Sequence, residues 1–348
     1  VSVRNAQQEN TGSGNYKTTQ TAATTIQPQL TIQGPATFNR NVVINNVGTT
    51  GFIIDAELNT SITGTFTSLA TDKLILTTNT LATMTLGVNN PAFVGTLQLN
   101  SGNISISDQN QFGNSTLAVI FNGVTLTGAI SSISKNLNVL SASTLLTGNM
   151  TISGVLSGVG ILSLQSNLTT ATTITLAGDN TPYIGAFVLG TPTVPKILSV
   201  SDSKNIGGTN LISVNSGSTL DFQGNVSSNT VFNFSGAGTI QKNSYNVTIG
   251  GPIIGSGSIT ITGNSTLRLA GNNSKYTGNI YLQAGSLTFR DPVNSPDNLG
   301  SGTYFPSASV TLGLIQGMTL SNPFDLSNSG AGSNISIATG TATLNGIT

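Results

Sequence analysis

Apolar residues in this chain recur as pairs one residue apart, and clusters of Gly, Asn and Ser separate the pairs. The stretch from Ser258 to Gly300 shows the pattern plainly, with Ile259/Ile261, Leu267/Leu269, Ile280/Leu282 and Leu287/Phe289. A period of two over a few residues, broken by turn chemistry, specifies short strands with one buried face. No helical spacing competes with it. The rhythm runs from Leu30/Ile32 and Val42/Ile44, through Leu137/Val139 and Leu198/Val200, to Val247/Ile249. Glycine corners such as Gly250-Gly251-Pro252 lie between the pairs. Prolines are expected at these corners or in the irregular stretch Thr191–Pro195, because proline donates nothing to a ladder.

One piece of the pattern occurs three times. LGVNNPAFVGTLQL from Leu86, LAGDNTPYIGAFVL from Leu176 and LAGNNSKYTGNIYL from Leu269 align without gaps. Asn90, Asn180 and Asn273 hold equivalent turn positions, and Phe93, Tyr183 and Tyr276 each precede Gly95, Gly185 and Gly278 by two residues. Gly95 to Gly185 is 90 residues (185 − 95) and Gly185 to Gly278 is 93 (278 − 185). Downstream, Asp108, Asp202 and Asp291 each lead to an apolar–Gly step, at Phe112-Gly113, Ile206-Gly207 and Leu299-Gly300. The repeat cores are 86–113, 176–207 and 269–300. A module of that length holds about four solenoid coils of roughly 20–25 residues, or about 12–16 coils in all. The expected architecture is all-β, a single-stranded parallel β-helix over residues 30–348. Residues 1–29 have little apolar content and read as a polar N-terminal arm or cap.

The third copy resembles the passenger-associated repeat of bacterial autotransporters, found in the surface-exposed passenger regions of type V secretion proteins. The second copy matches fairly and the first is degenerate. Thr319–Thr348 resembles the coil that follows the repeat in that family. Repeats and tails together span about half the chain. The resemblance implies a right-handed β-helix, secretion and a role at the cell surface. Two departures stand out: the family's Gly-Gly after the aromatic is Gly278-Asn279 here, and no membrane β-barrel of long alternating strands follows the repeats.

Composition narrows the function further. Hydrophobic residues make up 37% and charged residues only 6%, with eleven basic and eleven acidic side chains scattered singly. A folded chain is expected, with Ser, Thr and Asn stacked in hydrogen-bonded ladders between coils. Nucleic-acid binding is excluded, since it needs a clustered basic stripe. Zero net charge permits self-association. Cysteine and histidine are absent, which removes disulfides, thiol chemistry, the commonest general base and the commonest metal ligand. The longest apolar run, Leu117–Phe121, is far short of a membrane span. The start VSVRN carries no signal peptide and reads as a processed, exported protein. The last residues, ISIATGTATLNGIT, still carry the strand pattern, so an exposed terminal coil is expected there.

A few residues invite a chemical reading. Asp55 and Glu57 share one face of a strand, a pair that could serve as acid and base, but a solvated strand face with two charges is the preferred reading. Ser203-Lys204 and Ser274-Lys275 have the residue types of a Ser-Lys dyad, but neighbours on a strand point to opposite faces. Asp108, Asp202 and Asp291 suit calcium as oxygen ligands. One Asp per module is too few for a site, and an Asx turn opening the corner explains the recurrence. Phe93, Tyr183 and Tyr276 could form a sugar-stacking row, against which stands a simple turn-packing role. Asn-x-Ser/Thr triplets such as Asn59 and Asn103 follow from composition and imply no glycosylation.

No catalytic, cofactor-binding or metal residue is assigned from sequence. The expected function is that of a non-enzymatic extracellular structural protein at a bacterial cell surface, whose copies associate into a fibre or layer. The contact expected is head-to-tail, N-terminal arm to C-terminal coil, with a host or neighbouring-cell surface as a further partner and without membrane insertion. The alternative is a passenger fragment of an autotransporter adhesin, and a more distant one is a carbohydrate-active β-helix enzyme.

Overall fold

The computed structural model describes residues 2–3, 16–19, 29–45, 50–289, 299–327, 329, 332–337, 341 and 343–344. The fold is a parallel β-solenoid of about 13 turns, with 46% of the described residues in strands and 3% in helix. It divides into two compact units, residues 1–163 and 164–348.

In the first unit one parallel sheet includes Gln29–Ile32, Phe52–Ala56, Lys73–Thr78, Thr96–Asn100, Val119–Asn122, Leu137–Val139 and Leu156–Gly158. A second runs through Ala36–Phe38, Thr60–Ile62, Thr83–Leu86, Asn103–Ser105, Thr125–Thr127 and Ser143–Leu146. In the second unit Thr172–Leu176, Lys196–Val200, Thr219–Phe222, Gly238–Gln241, Ile259–Thr262, Ile280–Leu282 and Tyr304–Pro306 form one face. Val226–Ser228, Val247–Ile249, Thr266–Leu269, Ser286–Phe289, Thr311–Leu314 and Asn334–Ile337 form another.

Register places like on like. Leu99, Phe121 and Val139 stack inward in successive coils of the first unit, as do Leu198, Leu220, Ile240, Ile261 and Leu282 in the second. All are buried. A slip of one residue would turn each stack to solvent, so the apolar pairs hold the register.

Corner asparagines add polar registration. Asn59 Oδ1 accepts the Thr83 backbone N–H at 2.9 Å across 24 residues. Asn136 does the same for Val155 across 19 residues and Asn225 for Asn246 across 21. Coil length therefore falls slightly below the expected range in places. Strands shorten along with corners there: Leu137–Val139 has three residues where Lys73–Thr78 has six. Three suffice, because they still deliver an inward pair.

The N-terminal segment contributes strands to the first unit. Ser2–Val3 pairs with Thr31–Ile32, and Tyr16–Thr19 pairs with Val42–Asn45. The rest of residues 1–28 lies outside the described residues. One proline departs from expectation: Pro306 ends the strand Tyr304–Pro306 rather than sitting in a corner. There the ladder bond to Leu282 is made by the next residue, with Ser307 N–H donating to the Leu282 carbonyl at 2.9 Å.

Candidate functional site

The corner that recurs three times in the sequence ties neighbouring coils together through a buried asparagine. Asn90, Asn180 and Asn273 are all buried. Asn90 reaches both neighbouring coils: its Oδ1 accepts Phe66 N–H at 2.7 Å and its Nδ2 donates to the Gln111 carbonyl at 2.7 Å. Asn180 Nδ2 donates likewise to the Asn205 carbonyl at 2.7 Å, and Asn273 Oδ1 accepts Ile253 N–H at 2.6 Å. The aromatic three residues on closes the turn, its N–H donating to the Asn carbonyl at 3.0, 2.8 and 2.8 Å in the three copies. Tyr183 and Tyr276 also tie backbone through their hydroxyls, Tyr183 to Ala186 and Tyr276 to Gly257 and Asn279. Phe93, Tyr183 and Tyr276 are at most 1% exposed. They are therefore turn-packing side chains, and a surface row for stacking sugars is ruled out.

The aspartates belong to the same joint. Asp108 precedes a 3₁₀ turn, Gln109–Phe112, and Asp202 a single α-helical turn, Ser203–Ile206. Asp108 Oδ1 accepts Asn110 N–H at 2.7 Å, and Asp202 Oδ1 accepts Lys204 N–H at 2.8 Å. The side chains of Gln111 and Asn205 reciprocate on the aspartate backbone, completing a capping box. The Asx-type turn expected from sequence is present at both positions, and Asp291 lies outside the described residues. No group of three or more potential metal-ligating side chains occurs among the described residues.

The Ser-Lys pairs need a correction of geometry. Ser203-Lys204 is helical, not extended, because the Asp202 cap starts a turn. Lys204 Nζ lies 3.7 Å from Asp179 Oδ2, and Ser203 Oγ accepts Ser227 N–H at 2.9 Å. Ser274-Lys275 is an exposed turn in which Ser274 N–H donates to Asn272 Oδ1.

Asp55 and Glu57 do share an outward side. Gln29 Nε2 donates to Asp55 Oδ2 at 3.1 Å and Gln33 Nε2 to Glu57 Oε1 at 3.5 Å, each from the preceding coil. Partial burial, then the nearby Glu57 charge, push the Asp55 carboxyl above its usual value, while the Gln29 bond opposes them. These contacts continue the polar ladder up the coils.

Two lysines are more unusual. Lys196 and Lys242 are fully buried. Lys196 Nζ donates to Thr172 Oγ1 at 2.7 Å, and Lys242 Nζ donates to the carbonyls of Gly263 and Ala284 at 2.6 and 3.1 Å. The signal was present in sequence: Lys196 is in phase with Leu198 and Val200, and Lys242 with Ile240. A period of two sends all of them inward.

Burial lowers both ammonium groups to about 8, against 10.5 for a free lysine. Between these values the unfolded chain binds more protons, so stability rises with pH across that window. Burial pushes the Tyr276 and Tyr304 hydroxyls up from 10.0. The unfolded chain then ionises first, so stability falls above pH 10. The melting temperature should climb from pH 7.5 to 9.5 and drop beyond pH 10.5. Lys242→Met should flatten the rising limb. A profile that falls between pH 7.5 and 9.5 would contradict the burial of these lysines.

Compared with known protein families, curated proteins and solved structures, the chain matches none of them.

Proposed function

We propose that this chain is a non-enzymatic extracellular scaffold, displayed at a bacterial surface, whose copies associate into a fibre or layer. The observation that carries the reading is the chemistry of its outward rows, in which polar side chains, carboxylates included, are already hydrogen-bonded to one another across the coils. In the first unit Asn122 bridges Asn100 and Ser141 at 3.1 and 3.0 Å, and Thr77 meets Ser101 at 3.0 Å. In the second, Asp221 is enclosed by Ser199, Gln223 and Asn243 at 3.0, 2.7 and 2.9 Å. Groups so satisfied favour a rigid surface over a reactive one, and zero net charge removes repulsion between copies.

The proposed element of contact is residues 1–29. Strands Ser2–Val3 and Tyr16–Thr19 join their sheets in parallel pairing, and an identical strand from another copy can make the same backbone bonds. Electron microscopy of the intact chain should show fibres or sheets, and deletion of residues 1–28 should leave monomers. A preparation of the intact chain that stays monomeric at high concentration would overturn the assembly reading. Fibres that survive the deletion would overturn the role of the segment.

A second reading is a passenger segment of an autotransporter adhesin. It is favoured by LAGNNSKYTG, Leu269–Gly278, where the resemblance falls on the same Asn and Tyr that form the corner. A reading frame that continues past Thr348 into a membrane β-barrel would select it.

A further inference from the structure

In the second unit, strands Val247–Ile249, Thr266–Leu269, Ser286–Phe289, Thr311–Leu314 and Asn334–Ile337 lie in register. Val247, Leu267, Leu287 and Leu312 point into the core. Outward, one row reads Thr248, Arg268, Thr288, Gly313 and Ser336. A second reads Thr266, Ser286 and Thr311. An open groove of about 530 Å³ runs over both.

Two features set this face apart. Arg268 is exposed, and its side chain makes no hydrogen bond or ion pair among the described residues. Gly313, two coils on from Arg268 with Thr288 between them, leaves a gap in a row that elsewhere carries side chains, and it lines the same groove.

We propose that the groove binds an acidic polysaccharide laid across the coils, with a uronate carboxylate on Arg268 and ring hydroxyls on the Thr and Ser rows. Guanidinium presents a planar fork that takes a carboxylate through two parallel hydrogen bonds. Hydroxyl rows both donate and accept, which suits sugar hydroxyls. They repeat at the coil spacing of ~4.8 Å, similar to the advance of one extended pyranose unit. A nucleic acid would require several cations in line, and a protein partner a central aromatic or aliphatic anchor. These rows offer neither. The inference does not rest on self-association of the chain.

The test is calorimetric titration of the intact chain with oligogalacturonate, its methyl-esterified form and single-stranded DNA. Oligogalacturonate should bind, and methyl esterification or Arg268→Gln should weaken it by about tenfold or more, as expected for loss of a charge-assisted pair. Gly313→Val, which fills the groove and leaves the cation in place, should also abolish binding. Circular dichroism melting curves check that both variants remain folded. Absence of binding to oligogalacturonate at millimolar concentration would overturn the proposal. So would equal affinity in folded Arg268→Gln, or equal binding of the DNA, which would mean simple charge attraction.

Discussion

Replacing Gly207 with alanine is expected to destabilise the second unit by about 3 kcal/mol or more, among the largest effects of any single methyl in this chain. Two independent reasons act at this position. Its φ is +70°, a backbone conformation that L side chains rarely adopt, and a Cβ there would come within 2.0 Å of the Asn180 carbonyl oxygen. The obstacle is backbone in the previous coil, so no rotamer change relieves it. Of the equivalent positions, Gly300 (φ +70°) meets the Tyr276 carbonyl oxygen at 2.1 Å, and Gly113 (φ +92°) meets the Phe93 ring at 2.6 Å and its carbonyl oxygen at 2.7 Å. Gly148 provides the control, since a Cβ there has nothing within 4 Å and its φ is not positive. Gly148→Ala should shift the melting temperature little or slightly upward, whereas Gly207→Ala should lower it by many degrees. Equal effects from the two would mean that the glycine after the aspartate is not a close approach between coils.

The second large effect is expected at the buried asparagines. Asn90→Ala removes the Phe66 and Gln111 bonds together and leaves buried backbone groups unpaired. Each such group costs about 1–3 kcal/mol, so a loss of about 3 kcal/mol is expected. Asn90→Asp discriminates the mechanism. It retains the acceptor for Phe66 N–H but places a carboxylate against the Gln111 carbonyl, so it should be about as damaging as alanine. Chemical denaturation of the three proteins reads this directly. An aspartate variant as stable as the parent would show that the donor to the next coil contributes nothing.

Much of the fold was legible because the apolar pairs mostly have one meaning. In a pair such as Leu267/Leu269 the period of two leaves no helical alternative, and both residues face inward. Ala186/Val188, by contrast, alternates on the outer side of its strand, and Ile335 is 46% exposed. The joint was legible only as a recurrence. Asn180 and Gly207 lie far apart in sequence, and only coil-on-coil registration shows that one covers the other. The turns at Gln109–Phe112 and Ser203–Ile206 were not legible as helices, since four residues are too few to show a helical period. Lys196 and Lys242 share the inward phase of their apolar neighbours, but burying an ammonium is costly, so their type argues for the surface while their phase argues for the core. Arg268 is the opposite case. It alternates correctly outward, and only the rows beside it give it a setting.

The account stands on parallel stacking of successive coils in fixed register. Thr173, Ile197, Thr219, Thr239 and Thr260 are partners in turn, so Thr173 and Thr260 are four steps apart within the second unit, or about 19 Å at ~4.8 Å per step. The chain has no cysteine, so Thr173→Cys/Thr260→Cys takes spin labels at these two sites alone. Double electron–electron resonance should give one narrow distance distribution centred near ~19 Å, broadened only by the label linkers. A broad distribution, or a centre far from that value, would contradict the stacked solenoid.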